Sequence, residues 1–569
     1  SIFSKNQKKK FNILIVTIFF GAMLEMLAIG LVFPFIKIIM NPTQIPYLDL
    51  FSFNTNSNGF FYFIIGLFFL FFLIKNIILS LIGKFQLSFV KKFNFQLSNI
   101  LFEKYLRQKY FKIIKSDTNL RVKTIANDIT TLTNSIIALC YLFFDIIVIV
   151  FICIVLIYID PIAAICFFLS LVLFGIFFYF YLQNKIKAWG IQSVLSEKLK
   201  FSCIYQGFYG IRDIKINNTY KNIFKNFSNT NEIFLQTVFK KNFVQSITRH
   251  VVEVFAVLSF VIFLAFILLQ SSFEQSLPTL GVFAAASFKL LPSLNRLLIS
   301  KQTLKFIEPI IDRIKIDATK KEILDYGDKF TNKKIEKLET INLNNVSFYY
   351  DSPKNRVLEK VNLKINLNKN TVLIGENGSG KSTFLDLISG LLDPSTGKIL
   401  VNSKNLLDDE TKALLHSNIS YLPQNPFIIN GTIKDNIVLG NDKIDIGHLK
   451  KCLLLADLKN FVRKKSRGLG YSVGLNGNKL SGGEKQKIAL ARAMYRNPKI
   501  IILDEATSAI DELSQSKIIK NLKAVNLKTK FIIVAHTQKM LELCDKAYEI
   551  KNKKIIKKNI GLIKNSRHR

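Results

Sequence analysis

The chain has 569 residues, too many for one domain, with a formal net charge of +38 and 51 phenylalanines in a composition that is 49% hydrophobic. That apolar content points to a membrane class and excludes a small soluble domain. The charge does not imply nucleic acid, because the lysines are spread along the chain among abundant asparagine and isoleucine, with no base-reading motif.

Six apolar runs follow from the N-terminus, roughly 11–40, 59–82, 134–159, 161–183, 251–270 and 277–300. Each reaches the ~20 residues needed to cross the hydrocarbon, so six transmembrane helices are expected. The first run is too long for a signal-peptide core and has no small-residue cleavage site, which makes it a retained helix. Only about ten residues precede it, so no appended leader peptidase is expected there. The connections at 41–58, Asp160-Pro161 and 270–278 contain no lysine or arginine, whereas Lys8, Lys9, Lys10, Lys104, Arg107, Lys109, Lys185, Lys187 and Arg212 crowd the other side. The positive-inside rule then puts both termini in the cytoplasm, with anionic lipid attracting the basic side. The inner connections, 84–133 and 184–250, are long and stay compatible with helix, so the helices should continue well past the membrane. Cys140, Cys153 and Cys166 lie inside apolar runs and read as buried filler; the six cysteines form neither a disulfide framework nor a metal pattern.

Ionisable groups inside spans are costly and each is a candidate for function. Glu25 and Lys289 both fall near mid-membrane, Arg296 lies about two turns beyond Lys289, and Arg249, His250 and Glu253 open the fifth run. Two readings stand side by side. Either the charges pair off, Glu25 with Lys289 and Glu253 with Arg296, or Lys289, Arg296 and Arg249 face a cavity suited to an anionic head group.

A segment rich in Lys, Asp and Thr, 319–337, reads as a linker between a membrane domain (1–318) and a second domain (338–569). Gly375 to Ser382, GENGSGKS, matches the phosphate-binding loop pattern. Its glycines let backbone N–H groups wrap a nucleotide's phosphates while Lys381 bridges the β- and γ-phosphates, with Asn377, Gly378, Ser379, Gly380, Ser382 and Thr383 completing the cradle. Ile500–Asp504, IIILD, is an apolar strand that delivers Asp504 to hold Mg²⁺, with Ser382 as a further ligand. Glu505 follows, placed to polarise the attacking water as general base. Taken alone, an aspartate after an apolar strand is usually a strand cap, a lone histidine a satisfied surface residue and a lone tyrosine packing.

The combination of this loop with Leu480–Glu484, LSGGE, resembles the ABC ATPases. The resemblance gives further residues their roles. Gln424, in YLPQNPF, is similar to the glutamine that reaches metal and water. His536, in IIVAHT, is similar to the switch histidine on the γ-phosphate, Ser508–Asp511 to the loop that crosses to a partner domain, and Tyr350 to the aromatic that stacks on adenine. Ser481, Gly482 and Gly483 are implied to touch ATP held by a different ATPase domain. One such domain per chain, with every motif intact, implies a homodimer.

The fold class implied is an all-α polytopic membrane domain of six transmembrane helices with long cytoplasmic extensions, fused to an α/β phosphate-loop ABC ATPase domain. In that layout segments near 110–118 and 205–215 are coupling helices. The segment Val473–Gly477, VGLNG, lacks the acid that the family often carries there, so that contact to the membrane part is not carried over. LLPSLNRLLISKQTLKF and MLEMLAIGLVFPFI look like the bacterial exporters that flip polyprenyl-pyrophosphate-linked oligosaccharides. The expected activity is thus ATP-driven export or flipping of an anionic, lipid-linked substrate across a bacterial inner membrane, with ATP and Mg²⁺ as cofactors. The alternative is an exporter of peptides, lipids or hydrophobic small molecules.

Overall fold

In the computed structural model, residues 5–32, 35, 58–159, 161–270, 273–319, 338–440, 443–506, 508–524, 529–534 and 538–561 are described. The chain divides into two compact units, Ser1–Leu106 with Ser116–Glu322, and Arg107–Lys115 with Ile323–Arg569. Of the segment 319–337, read as a linker, all but Thr319 lies outside the described residues.

The first unit is helical: α1 (Lys5–Gly30), α2 (Asn58–Leu106), α4 (Thr118–Lys123) continued through a π turn into α5 (Ile129–Ile159), α6 (Pro161–Tyr209), α7 (Ile211–Ile216), α8 (Tyr220–Gln270) and α9 (Phe273–Thr319). The 49 residues of α2 extend about 74 Å, more than twice the thickness of a bilayer's hydrocarbon. This is the helical continuation that the long inner connections imply. Tyr62, Phe63, Phe69 and Leu70 on α2 are more than half exposed; hydrocarbon is the solvent that suits such a surface. Among the described residues, Gln7–Gly30, Tyr62–Leu106, Thr118–Tyr158 and Tyr220–Ile262 are long and apolar enough to cross a membrane, as befits an integral membrane protein. The expected spans 161–183 and 277–300 lie in α6 and α9, whose side chains there are described only in part. Between the helices, Leu14, Ile18, Leu101 and Ile129 form one buried cluster and Ala22, Ile152, Phe283 and Leu290 another.

The second unit begins with the short helix α3 (Tyr110–Lys115), contributed by the segment between α2 and α4. An antiparallel sheet follows, in the order β2 (Arg356–Asn366), β1 (Thr340–Tyr349), β4 (Thr396–Val401), β5 (Lys404–Asn405). The second sheet runs β10 (Lys554–Lys558), β9 (Lys546–Lys551), β3 (Thr371–Gly375), β8 (Lys530–Val534), β7 (Ile500–Asp504), β6 (Ile419–Leu422), and is parallel apart from β10. β7 is buried at every residue, which is why its sequence is a continuous apolar run with no alternation. Around the sheets lie α10 (Lys381–Ile388), α11 (Asp409–Asn418), α12 (Ile433–Val438), α13 (Ile446–Leu455), α14 (Lys459–Lys464), α15 (Gly482–Tyr495), α16 (Glu512–Ala524) and α17 (Gln538–Leu541). In such a sheet ligands bind beyond the carboxyl ends of the strands. The phosphate loop follows β3, Gln424 follows β6, and Asp504 and Glu505 end β7, so the topology gathers them at one edge.

Candidate nucleotide site

The phosphate loop turns from β3 into α10 through Gly380 at φ +102°. A Cβ there would stand 2.8 Å from Val357 Cγ1, so both dihedral and space demand glycine. Lys381 is buried, and its ammonium donates to the carbonyls of Gly375 (2.9 Å) and Glu376 (3.0 Å). It meets no carboxylate among the described residues, leaving its charge for an anion. Ser379 Oγ is buried without a hydrogen-bond partner, and such an orphan inside a cradle of amides suits a phosphate oxygen. Asn377 and Ser382 are exposed at the loop, and the first-turn amides of α10 have no partner within the helix. The residues present fit a nucleotide triphosphate.

Asp504 is buried at the end of β7 and accepts from the Tyr421 hydroxyl at 3.0 Å. Burial and the nearby Asp504 push the Asp386 carboxyl up to about 6. Burial, Asp504 and Asp386 raise the Tyr421 phenol well above its ordinary value. Two acids in one partly dry place are stabilised by a cation. Asp504, the exposed Ser382 hydroxyl and the side-chain oxygen of Gln424 are oxygen donors of the kind Mg²⁺ takes. Tyr421 and Asp386 are absent from the sequence-derived site. Asp386 carries no motif of its own, and only its register on the helix after the loop could have pointed to it.

Glu505 lies next to Asp504 with φ +50°, an uncommon conformation for a residue with a side chain and one often found at functional positions. Its amide donates to Val534 O (3.2 Å), and Gln424 Nε2 donates to its Oε2 at 2.9 Å. The structure therefore brings the proposed base and the glutamine together.

LSGGE forms the start of α15. Ser481 Oγ accepts from the Glu484 amide (3.2 Å) while the Ser481 amide donates to Glu484 Oε2 (2.7 Å), a capping box that fixes where the helix begins. A Cβ on Gly483 would meet Ala509 O at 2.9 Å, so the glycine lets the helix lie against the loop 508–511. Ser481 and Gly482 are exposed. Gln486, two residues beyond the motif and missed in the sequence reading, is buried. Its Nε2 donates to Gln424 O (3.2 Å) and its Oε1 accepts from the Ala509 amide (3.0 Å), so one side chain ties together two loops of the site.

Tyr350 OH lies 3.1 Å from Thr383 Oγ1, which joins the aromatic residue to the start of α10. His536 lies outside the described residues.

In the membrane unit, Glu25 Oε1 meets Lys289 Nζ at 2.8 Å, as the pairing alternative expects, and Lys75 also reaches Glu25 at 3.2 Å. The expected Glu253–Arg296 pair is replaced. Arg296 binds Asp145 bidentately (2.6 and 3.2 Å), while Glu253 takes Arg249 at 3.1 Å one turn away on α8. A buried carboxylate on a facing helix offers the guanidinium a drier and better-aligned partner than an exposed one. Arg249, Glu253, Asn295 and Arg296 line a cavity of about 310 Å³. Each cation named as a substrate contact thus has an acidic neighbour.

Comparison with known proteins agrees with this geometry. Residues 358–508 match the family model described as ABC transporter. The chain is 32% identical over 292 residues to "ABC transporter B family member 21" of Arabidopsis thaliana, covering 50% of this chain and 20% of that protein. It is 32% identical over 277 residues to a putative export ATP-binding/permease protein of Rickettsia typhi, covering 48% and 46%. The chain spans less than half the length of these curated relatives. A solved structure titled as a bacterial Atm1-family ABC exporter with ATP bound matches at a TM-score of 0.81 and 17% identity, covering 98% of this chain and 97% of that one. The chain has the ABC exporter fold, a helical membrane domain followed by an α/β ATPase domain.

Proposed function

We propose that the chain is half of an ATP-driven exporter whose two copies close around ATP. The observation that carries this reading is the contact of Gln424 with Glu505 beside the Lys381 cradle, on a chain with the exporter fold. Lys381 and the loop amides hold the phosphates and offset the charge that develops as the terminal phosphoryl group leaves. Glu505 takes the proton of the attacking water, and Gln424 holds that carboxylate in place. Mg²⁺, held by Ser382, Asp504 and Gln424, would offset further charge on the phosphates. His536 is assigned to the terminal phosphate by resemblance alone.

A homodimer follows from the exposed Ser481 and Gly482, which belong on the phosphates of the other copy. The tip formed by the end of α6, α7 and the start of α8 leaves Phe208, Tyr209, Ile216 and Phe224 largely exposed, as befits a surface covered by a second copy. The lysines and arginines on one side of the membrane domain support a cytoplasmic ATPase, and the membrane proposed is a bacterial inner membrane.

For the substrate, we propose a lipid-linked oligosaccharide carried on a polyprenyl pyrophosphate. The short stretches 23–36 and 290–306 support it, as does the cavity that Arg249 and Arg296 line; Lys289 would take part by leaving Glu25. The acidic partners of all three cations favour a second reading, export of an uncharged or amphipathic peptide or small molecule. The test is ATPase activity in lipid vesicles with and without a polyprenyl-pyrophosphate oligosaccharide, using Glu505→Gln as the blank. Stimulation together with appearance of the saccharide on the far leaflet is expected. Hydrolysis indifferent to that lipid would overturn the saccharide reading and leave the second.

A further inference from the structure

The short helix α3 belongs to the ATPase unit and lies against its aromatic edge. Phe111 and Tyr110 are half-buried on the core built around Phe348 and Phe384. The Phe111 ring lies nearly parallel to that of Tyr350 (15°, centroids 6.3 Å apart), and Phe348 stands perpendicular to both, at 6.2 Å from Phe111 and 5.0 Å from Tyr350. These separations fall within the range of attractive ring pairs. Lys115 at the end of α3 donates to the Tyr350 carbonyl, pairs with Asp351 at 2.8 Å and lies 4.6 Å from the centre of the Phe111 ring. At the opposite end the Tyr350 hydroxyl meets Thr383. Tyr350 is therefore fixed at its backbone, its ring plane and its hydroxyl, while the residue as a whole is only half-buried. Asp393 anchors the start of the helix through Lys109 at 2.7 Å.

We propose that Phe111 is a positioning residue for base recognition, holding Tyr350 ready to stack on the base of a nucleoside triphosphate. The inference rests on the reading of Tyr350 as the base-stacking residue. A ring already held in its bound orientation spares the ordering cost on binding, so removing Phe111 weakens affinity without touching the chemistry at the phosphates. Stacking tolerates any base because every base has a π face, so the loss should extend to GTP and spare a triphosphate that has no base.

The experiment uses the full chain in lipid vesicles and compares Phe111→Ala, Phe111→Leu, Phe111→Tyr and Tyr350→Ala. It measures KM and kcat for ATP, and inhibition by inorganic tripolyphosphate. Phe111→Ala and Phe111→Leu are expected to raise KM roughly 2- to 12-fold, the worth of one aromatic pair. Their kcat and tripolyphosphate inhibition should stay at parent values, and Phe111→Tyr should restore KM. Phe111→Leu keeps the apolar bulk and guards against a simple folding defect. An unchanged or lower KM in both Phe111 variants, with KM raised in Tyr350→Ala, overturns the inference and leaves the Tyr350 reading standing. So does a fall in kcat at constant KM. An unchanged KM in Tyr350→Ala removes the base-stacking reading and the inference with it.

Discussion

The pairing of Arg296 with Asp145 makes a prediction that separates packing from substrate binding. The Asp145 side chain is 0% exposed, whereas that of Arg296 is 41% exposed. Arg296→Gln leaves a buried carboxylate without its partner, a loss of about 3–5 kcal/mol for such a site. It also removes a guanidinium lying 5.5 Å from the Tyr141 ring and 5.8 Å from that of Phe144. Asp145→Asn leaves a cation that can turn towards water, so its cost should approach the ~0–1 kcal/mol of an exposed pair. Lys289 is paired with Glu25 at 2.8 Å, so Arg296 is the cation that holds Asp145. Thermal unfolding in detergent should rank Arg296→Gln well below Asp145→Asn, and the double variant should recover most of the loss. Equal damage from the two single changes, or a double variant as unstable as Arg296→Gln, would refute the argument. The double variant also speaks to function. If Arg296 contacts substrate, this stable protein keeps basal hydrolysis and loses stimulation by the saccharide lipid; restored stimulation leaves Arg296 a packing role.

Glu505→Gln keeps the side chain's shape and removes its basicity. Turnover should fall about 10²- to 10⁴-fold with ATP binding intact, measured as phosphate release and nucleotide retention; hydrolysis at the parent rate would remove Glu505 as the base. Gln486→Leu breaks both links between the loops of Gln424 and Ala509, and should lower kcat about tenfold or more while leaving KM for ATP within about twofold. A rise in KM alone would show that the bridge serves nucleotide binding instead. His416 is held below its ordinary value by burial, with its Nε2 2.7 Å from the Ser389 carbonyl. The unfolded chain therefore takes up that proton more readily than the folded one, and stability falls as pH drops below about 6.5. His416→Gln should flatten this limb of the thermal-stability profile; an identical acid slope would show that His416 contributes nothing to it.

The nucleotide site was largely legible because its chemistry is local. A loop that wraps phosphate must have its glycines and lysine at fixed spacing, and a buried parallel strand reads as an unbroken apolar run. Gln486 was hidden for the opposite reason. Its partners, Gln424 O and the Ala509 amide, are backbone groups distant in sequence, and no spacing rule reaches them. Asp386 likewise becomes part of the site only when α10 and β7 are packed together.

In the membrane domain the charges were visible, yet their partners depended on which helices face one another. Glu25 and Lys289 could be matched by depth alone, because both sit near mid-membrane. For Arg296 depth allowed more than one acid, and the sequence reading passed over Asp145 inside the third apolar run. A lone acid in a span is conspicuous, so the acid itself was readable. What the sequence does not carry is the rotation of α5 that turns Asp145 inward, where its side chain is 0% exposed and Arg296 reaches it at 2.6 Å. That rotation decides whether the cavity beside Arg296 presents a free cation or a neutralised one. Substrate charge therefore has to be argued from helix packing, and a count of lysines and arginines in the spans overstates how much positive charge an incoming head group would meet.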